Sequence, residues 1–161
     1  IDDAYVIDME IYLNHLSKGL DIRTDLEEFG DITIWATGAH YPDIKKVKGQ
    51  KLRITLRDHG LTDPINAGCY IIPFKDYLIV GATYERDRQD WLPDIDRAKS
   101  ILFPKLHQIL SHFDESRIES IDCFAGVRAT TPDHLPLIQQ LDSKNLLFTG
   151  LGSKGLLYHA L

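Results

Sequence analysis

The amino-acid sequence predicts an α+β fold: a central antiparallel sheet with helices, flanked by pieces of an α/β-type domain. Two observations lead to this prediction. The middle of the chain contains more strand-like than helix-like segments, including a hairpin pattern over residues 69–82. Each end instead combines a strand-like with a helix-like segment. Because one domain is built around one layered core, this order favours a sheet domain inserted between fragments of another domain.

The first elements follow from apolar spacing. From Met9 onward, apolar residues recur at 9, 12, 13, 16 and 20, which predicts one face of a helix, and Gly19 marks its end. The β-branched and apolar run 31–38 predicts a strand that enters a glycine turn. Residues 49–56 alternate apolar with polar side chains, which is typical of a strand with one buried face.

The second half of the chain begins with the hairpin. Residues 69–74 and 77–82 are strand-like and are joined by the short turn 75–76, with Pro73 expected at a strand end or an edge. Helical spacing follows over residues 94–113, where Pro104 either kinks the helix or splits it in two. Residues 118–127 and 145–149 predict two further strands.

Composition restricts the class of protein. The chain has 161 residues, 43% apolar and 26% charged, which is typical of one soluble globular domain. Its net charge of -6 argues against a nucleic-acid-binding surface within this segment. Neither a membrane span nor a signal-peptide pattern is found. Cys69 and Cys123 lack metal-ligand spacing, so we expect no metal and take the cytosol as the default compartment.

The chain closes on a glycine motif. Gly150, Gly152 and Gly155 form G-x-G-x-x-G between an apolar strand-like run and a helix-like one. Read literally, this motif is a dinucleotide fingerprint. Such a fingerprint opens a βαβ unit of roughly 30 residues, and too few residues follow here. Two interpretations therefore stay open: the motif is accidental, or it serves a cofactor whose main binding unit lies outside this chain.

Four segments, in this order, resemble the FAD-dependent amino-acid oxidoreductase family that includes D-amino-acid oxidase, glycine oxidase and sarcosine oxidase. The segments are I-W-A-T-G-A at 34–39, V-K-G-Q at 47–50, C-Y-I-I-P at 69–73 with V-G-A-T-Y-E at 80–85, and A-G-V-R-A-T-T-P-D-H-L-P at 125–136. Each motif is weak alone, but their order along the chain is specific. The resemblance implies FAD as cofactor and a small amine or amino acid as substrate.

The resemblance also implies roles for individual residues. Arg128 would pair with the substrate carboxylate, which suits a planar guanidinium, and Tyr70 would donate a hydrogen bond to the same group. Thr37 and Gly38 would approach the adenosine half of FAD. The alternative for each is structural: a surface arginine, a half-buried strand tyrosine and a glycine turn. No side chain is predicted to be catalytic, and Tyr84 and His134 are interpreted as structural.

The closing glycine turn would then hold the flavin ring. Its backbone N–H groups, at a helix N-terminus, would stabilise negative charge on the reduced ring, or else the turn has only a packing role. The residues assigned to this role are Gly152, Ser153, Lys154, Gly155 and Leu156. The implied domain division is 1–45 and 126–161 for pieces of a Rossmann-like FAD-binding domain, and 46–125 for the substrate-binding domain.

Two segments resemble one member of the family in particular, and other parts of the chain depart from the family's pattern. Residues 128–136 and 151–156 resemble the oxidase domain of a bacterial tRNA wobble-uridine modification enzyme, which keeps tRNA as an alternative partner. The family's N-terminal pyrophosphate-binding unit is not found, and the stretch before Trp35 is short. We therefore expect a piece of an enzyme that needs a further N-terminal FAD-binding segment. A non-catalytic binding module remains the third interpretation.

Overall fold

The computed structural model describes residues 6–23, 30–42, 44–88 and 90–152. In these ranges two α-helices, two short 3-10 helices and eight strands are found. The elements in chain order are α1 Met9–Leu16, β1 Thr33–Trp35, a 3-10 helix Gly38–His40, β2 Lys45–Thr55, β3 Ile65–Asn66, β4 Tyr70–Phe74, β5 Tyr77–Gly81, α2 Ile95–Ile109, a 3-10 helix Glu115–Arg117, β6 Ser120–Thr130, β7 Leu137–Gln140 and β8 Asn145–Thr149. The α+β prediction is confirmed.

The larger sheet has five antiparallel strands in the order β3-β4-β5-β2-β6. At one edge of the sheet, β6 pairs with β2 over all eleven residues, from Lys45 opposite Thr130 to Thr55 opposite Ser120. The predicted hairpin is observed as β4 and β5. Because β3 pairs only with Tyr70 and Ile71, Pro73 has no strand on its outer side, as its missing N–H requires.

The core lies between this sheet and α2. Alternate residues of β2, Leu52 and Ile54, are fully buried against the helix, which contributes Leu102 and Leu106. Side chains alternate across a strand, so the intervening residues of β2 lie on the opposite, open face of the sheet. Asp94 caps α2 by accepting a hydrogen bond from the backbone N–H of Arg97.

The smaller sheet joins the two ends of the chain. β1 runs parallel to β8, and β7 lies antiparallel on the other side of β8. A parallel pair cannot be closed by a tight turn, so a long connection is required, and here the larger sheet and α2 form it. The predicted domain boundaries at 45/46 and 125/126 fall inside β2 and β6. The domain division stays a prediction.

Several element ends differ from the predicted ones. α1 ends at Leu16, and Gly19, with a φ of 87°, lies in the turn that follows. α2 is one continuous helix that contains Pro104, so the split helix was wrong. β2 begins at Lys45, before the alternating residues, because β6 pairs with it along its whole length. No helix of the described residues is long and apolar enough to cross a membrane.

Candidate active site on the open face of the sheet

Arg128 lies on the open face of the larger sheet, on β6 opposite Val47. Its guanidinium covers Gly49, where an added Cβ would lie 2.5 Å from Cζ. Nη1 donates a hydrogen bond to the backbone carbonyl of Thr83 at 3.2 Å. The ring of Tyr84 lies 5.6 Å from Cζ. Glycine at 49 therefore makes the space that the guanidinium occupies.

Tyr70 lies on the same face, on β4 opposite Gly81. Its hydroxyl lies above Gly81, where an added Cβ would be 2.5 Å away. Burial raises the pKa of Tyr70, and the positive charge of Arg128 opposes part of that rise. The phenol thus stays protonated and is a hydrogen-bond donor within the electrostatic reach of the guanidinium. The structure brings the two predicted substrate residues to one face.

The closing turn is joined to β6 next to Arg128. The backbone N–H of Gly152 donates to the carbonyl of Ala129 at 2.7 Å, and Leu151 forms a β-bridge with Thr130. Gly152 has a φ of 58°, a left-handed conformation that favours glycine. The turn is therefore held at the edge of the face that carries Arg128.

Arg128 and Gly152 line one cavity of about 320 Å³. The other residues that line it are Tyr84, Arg86, Thr130, His134 and Leu151. From the sequence, Arg128 was assigned to substrate binding and Gly152 to cofactor binding. Both residues thus line the same cavity. The remaining residues of the predicted flavin turn, Ser153, Lys154, Gly155 and Leu156, lie outside the described residues.

Thr37 and Gly38 lie elsewhere, at the end of β1 in the smaller sheet. The hydroxyl of Thr149, at the end of β8, donates to the carbonyl of Gly38 at 2.8 Å. Gly38 has a φ of 57°, and an added Cβ would meet nothing within 4 Å. The hydroxyl of Thr37 is buried and has no hydrogen-bond partner among the described residues. A buried hydroxyl without a partner is costly, so Thr37 is a group for which a ligand would supply the missing hydrogen bond.

The sequence did not reveal two residues of the cavity. Tyr84 was interpreted as packing, yet it is 47% exposed and its ring contacts the guanidinium groups of both Arg128 and Arg86. Arg86 was not considered. The available signal was its position two residues after Tyr84, in the segment that follows the second hairpin strand.

A buried polar cluster holds the segment that carries Tyr84 and Arg86. The carboxylate of Glu85, 2% exposed, accepts hydrogen bonds from Thr83, Gln50 and Arg97 at 2.5, 2.9 and 2.6 Å. Burial alone would raise the pKa of Glu85, but these hydrogen bonds and the charge of Arg97 hold it below the usual value. Glu85 also pairs with Lys48 through the backbone, which fixes this segment beside β2.

His134 lies at the rim of the cavity. Its Nδ1 is 3.2 Å from the hydroxyl of Thr130, and its φ is 61°, which a tight turn requires. Nothing in this arrangement tests its interpretation as a structural residue, which stays a prediction. Among the described residues, no group of three or more His, Cys, Asp or Glu side chains is placed to hold a metal ion.

Solved structures with a similar fold are oxidases. An iminodiacetate oxidase from a Chelativorans species matches with a TM-score of 0.65 and 19% identity, covering 80% of this chain and 39% of that one. A glycine oxidase from Geobacillus kaustophilus matches with a TM-score of 0.60 and 22% identity, covering 78% and 37%. At these identities the likeness shows the fold.

Sequence relatives are bifunctional proteins of tRNA 5-methylaminomethyl-2-thiouridine biosynthesis, MnmC. The protein of Caulobacter vibrioides is 35% identical over 116 residues, 70% of this chain and 18% of its own length. That of Idiomarina loihiensis is 30% identical over 96 residues, 53% of this chain and 15% of its own. The chain thus spans under a fifth of these relatives. Residues 9–161 match the family described as FAD dependent oxidoreductase. The chain therefore belongs to the FAD dependent oxidoreductase family.

Proposed function

We propose that this chain carries the substrate-binding face of an FAD-dependent oxidoreductase that oxidises an amine or amino acid. One observation carries the proposal: Arg128 and Gly152 line the same cavity. The first is suited to a carboxylate, and the second belongs to a glycine turn of the type that approaches a cofactor. A substrate held by Arg128 would therefore lie beside the cofactor.

The chain's own residues would bind and orient the substrate. Arg128 has N–H donors beyond the one used by Thr83, and a planar guanidinium binds a carboxylate through two parallel hydrogen bonds. Tyr70 would donate to the same carboxylate, and Tyr84 would form a wall. When bound, FAD would supply the oxidant that takes a hydride from the carbon next to the amine while the amine loses a proton. The resulting imine would hydrolyse in water, so no side-chain base is assigned.

The residues that would hold FAD fit that task. Thr37 offers a buried hydroxyl that has no partner among the described residues, and Gly38 leaves open space above a left-handed backbone. Gly152 also has a left-handed backbone, beside the substrate face. Backbone N–H groups of Gly152 and of Ser153, Lys154, Gly155 and Leu156 would stabilise negative charge on the reduced ring.

The proposal includes a further FAD-binding segment as a partner. Ile32, Ile34 and Ile138, in or next to the smaller sheet, are all exposed. Exposed apolar surface of this kind marks an interaction site. We propose that the segment that holds the FAD pyrophosphate packs there. The free thiols of Cys69 and Cys123 support a reducing, cytosolic compartment.

The test uses the full-length protein that contains this chain. We expect it to purify with a flavin absorbance spectrum. Under anaerobic conditions this absorbance should bleach when glycine or an active member of a panel of D- and L-amino acids is added. Arg128→Lys should keep the bound flavin but slow bleaching, because one ammonium cannot replace a bidentate guanidinium. A full-length protein that stays colourless after reconstitution with FAD would contradict the proposal.

A second candidate function is the oxidation of a modified wobble uridine in tRNA. The observation in its favour is the 35% identity over 70% of this chain to a protein of tRNA 5-methylaminomethyl-2-thiouridine biosynthesis. Arg128 would then bind the carboxylate of a carboxymethyl group on the base. The test compares tRNA that carries this modification with the free amino acids. Reaction of tRNA alone would select this candidate, and reaction of free amino acids alone would exclude it.

The third candidate is a binding module without catalysis. Isothermal titration of FAD into the 161-residue chain distinguishes it from an independent flavoprotein. We expect weak or no binding, because the proposed pyrophosphate-binding segment lies outside these residues. Submicromolar affinity would overturn this expectation.

A further inference from the structure

A second cavity adjoins the one beside Arg128. Its volume is about 580 Å³, and it shares Tyr84, Arg86, Thr130 and His134 with the smaller cavity. The residues that line only this larger cavity are Ile44, Lys45, Lys46, Val47, Thr131 and Pro132. Pockets of about 300–1,000 Å³ hold ligands well beyond the size of glycine. The space therefore exceeds what a simple amino acid fills.

The walls of the two cavities are basic. Among the described residues, Lys45 and Lys46 line the larger cavity, Arg128 lines the smaller and Arg86 lines both, and none of those that line either cavity is acidic. None of these four cations forms an ion pair with a described carboxylate, whereas Lys48, Arg53, Arg88 and Arg97 do. The chain as a whole carries a net charge of -6. Uncompensated positive charge in a concave surface of an acidic chain concentrates anions there.

Two of the positive groups share one face of the sheet. Lys45 is opposite Thr130 and Val47 is opposite Arg128, so Lys45 and Arg128 lie on the same face, two residue positions apart, whereas Lys46 alternates to the other face. Tyr84 connects the two cavities, with its ring 5.3 Å from Cζ of Arg86 and 5.6 Å from Cζ of Arg128. An anion at Arg86 and a carboxylate at Arg128 would thus both lie beside one aromatic ring.

We infer that the substrate carries a second anionic group, a phosphate or a second carboxylate, which binds Lys45 and Arg86 while Arg128 holds the first carboxylate. This inference rests on the proposed function and adds the substrate class. Cations beyond the carboxylate anchor that have no ion-pair partner among the described residues match a dianionic amine better than a monoanionic one. The amine between the two anions would lie beside the closing glycine turn.

The test compares isosteric amines on the flavin-containing full-length protein. N-(2-carboxyethyl)glycine carries a second anion, and N-(2-carbamoylethyl)glycine has the same shape without it. We expect the KM of the dianion to be about tenfold lower, and this difference to shrink as salt screens the charges. N-(2-phosphonoethyl)glycine identifies the second anionic group of the substrate. A KM lower than that of N-(2-carboxyethyl)glycine assigns a phosphate, and a higher KM assigns a carboxylate.

Two variants locate the site. Arg86→Gln and Lys45→Gln should each raise the KM of the dianion about tenfold and leave that of the amide within about twofold. Lys75→Gln, in the exposed turn of the hairpin, is the matched control and should change neither value. Flavin content and melting temperature are measured for every variant, which separates loss of binding from loss of folding.

Equal KM values for the dianion and the amide in the unaltered protein would overturn the inference and leave the proposed function standing. Loss of flavin from the variants with unchanged KM would also overturn it, because the cations would then serve the cofactor phosphates. If no amine is oxidised, the proposed function fails. Isothermal titration calorimetry of the dianion and the amide then tests the inference by itself. Binding of the dianion but not the amide, abolished by Arg86→Gln, supports the inference, and equal binding of both overturns it.

Discussion

The guanidinium of Arg128 occupies the space above Gly49 that a side chain at position 49 would fill. The two residues are on adjacent strands, and Gly49 is two residues beyond Val47, the direct partner of Arg128. The arginine therefore leans along the sheet over the glycine instead of pointing straight out. Residue 49 sets the direction of the proposed carboxylate anchor although it offers no group that binds substrate.

We expect Gly49→Ala to displace Arg128 and to weaken binding of carboxylate substrates, with a rise in KM of about tenfold, equal to roughly 1.4 kcal/mol. Gly126→Ala is the control, because Gly126 is opposite Gly49 on β6 and an added Cβ there meets nothing within 4 Å. The measurement is steady-state kinetics of the flavin-containing protein. Equal KM values for the two variants would contradict this role of Gly49.

Tyr70→Phe tests the proposed hydrogen bond of the phenol. The ring is kept and only the hydroxyl above Gly81 is removed, so the loss is that of one hydrogen bond to a charged group, about 1.5–3 kcal/mol. We expect a higher KM for carboxylate substrates and an unchanged melting temperature. Tyr77→Phe is the control, since Tyr77 is on the same sheet but stacks on Phe74 at the far end of the hairpin. An unaltered KM in Tyr70→Phe would remove this residue from the site.

Thr37→Val tests the fit of FAD. The hydroxyl is buried and unpartnered among the described residues, so its removal should leave the stability unchanged or raise it by about 1 kcal/mol. The affinity of the full-length protein for FAD should fall, because the hydroxyl would lose its proposed partner in the cofactor. Thr149→Val provides the contrast: it breaks the hydrogen bond to Gly38 and should lower stability. An unaltered FAD affinity in Thr37→Val would contradict the assignment.

The lowered pKa of Glu85 predicts that the stability of the fold depends on pH. Its pKa in the folded chain is lower than the usual value of 4.5. A lowered pKa means that the ionised form stabilises the fold above pH 4.5 and that this stabilisation is lost as the pH falls through the lowered value. Urea titrations at pH 7 and at a pH below 4.5 measure the free energy of unfolding. Between these two pH values we expect it to fall more in the unaltered chain than in Glu85→Gln.

The control for this experiment is Glu119→Gln, whose carboxylate belongs to an exposed ion pair with Arg57. Exposed pairs contribute little, so this variant should keep the steep dependence. Identical slopes for Glu85→Gln and the unaltered chain would show that the buried cluster does not stabilise the ionised carboxylate.

Local features allowed much of the fold to be predicted. The hairpin of β4 and β5 follows from two apolar runs around a two-residue turn, and α1 from its apolar spacing. The start of β2 at Lys45 and the short strands β3 and β7 were not predicted. Their residues have weak local preferences, and pairing with a distant strand decides their conformation.

Residue type and order were enough to predict the fold class, the family resemblance, and Arg128 and the closing glycines as candidates. The position of Arg128 over Gly49, the approach of Gly152 to the same cavity, and its extension by Arg86 and Lys45 emerge from the folded chain alone. They depend on strand register, because pairing of β2 with β6 and of β1 with β8 joins residues far apart in the chain, and local spacing does not specify such pairs.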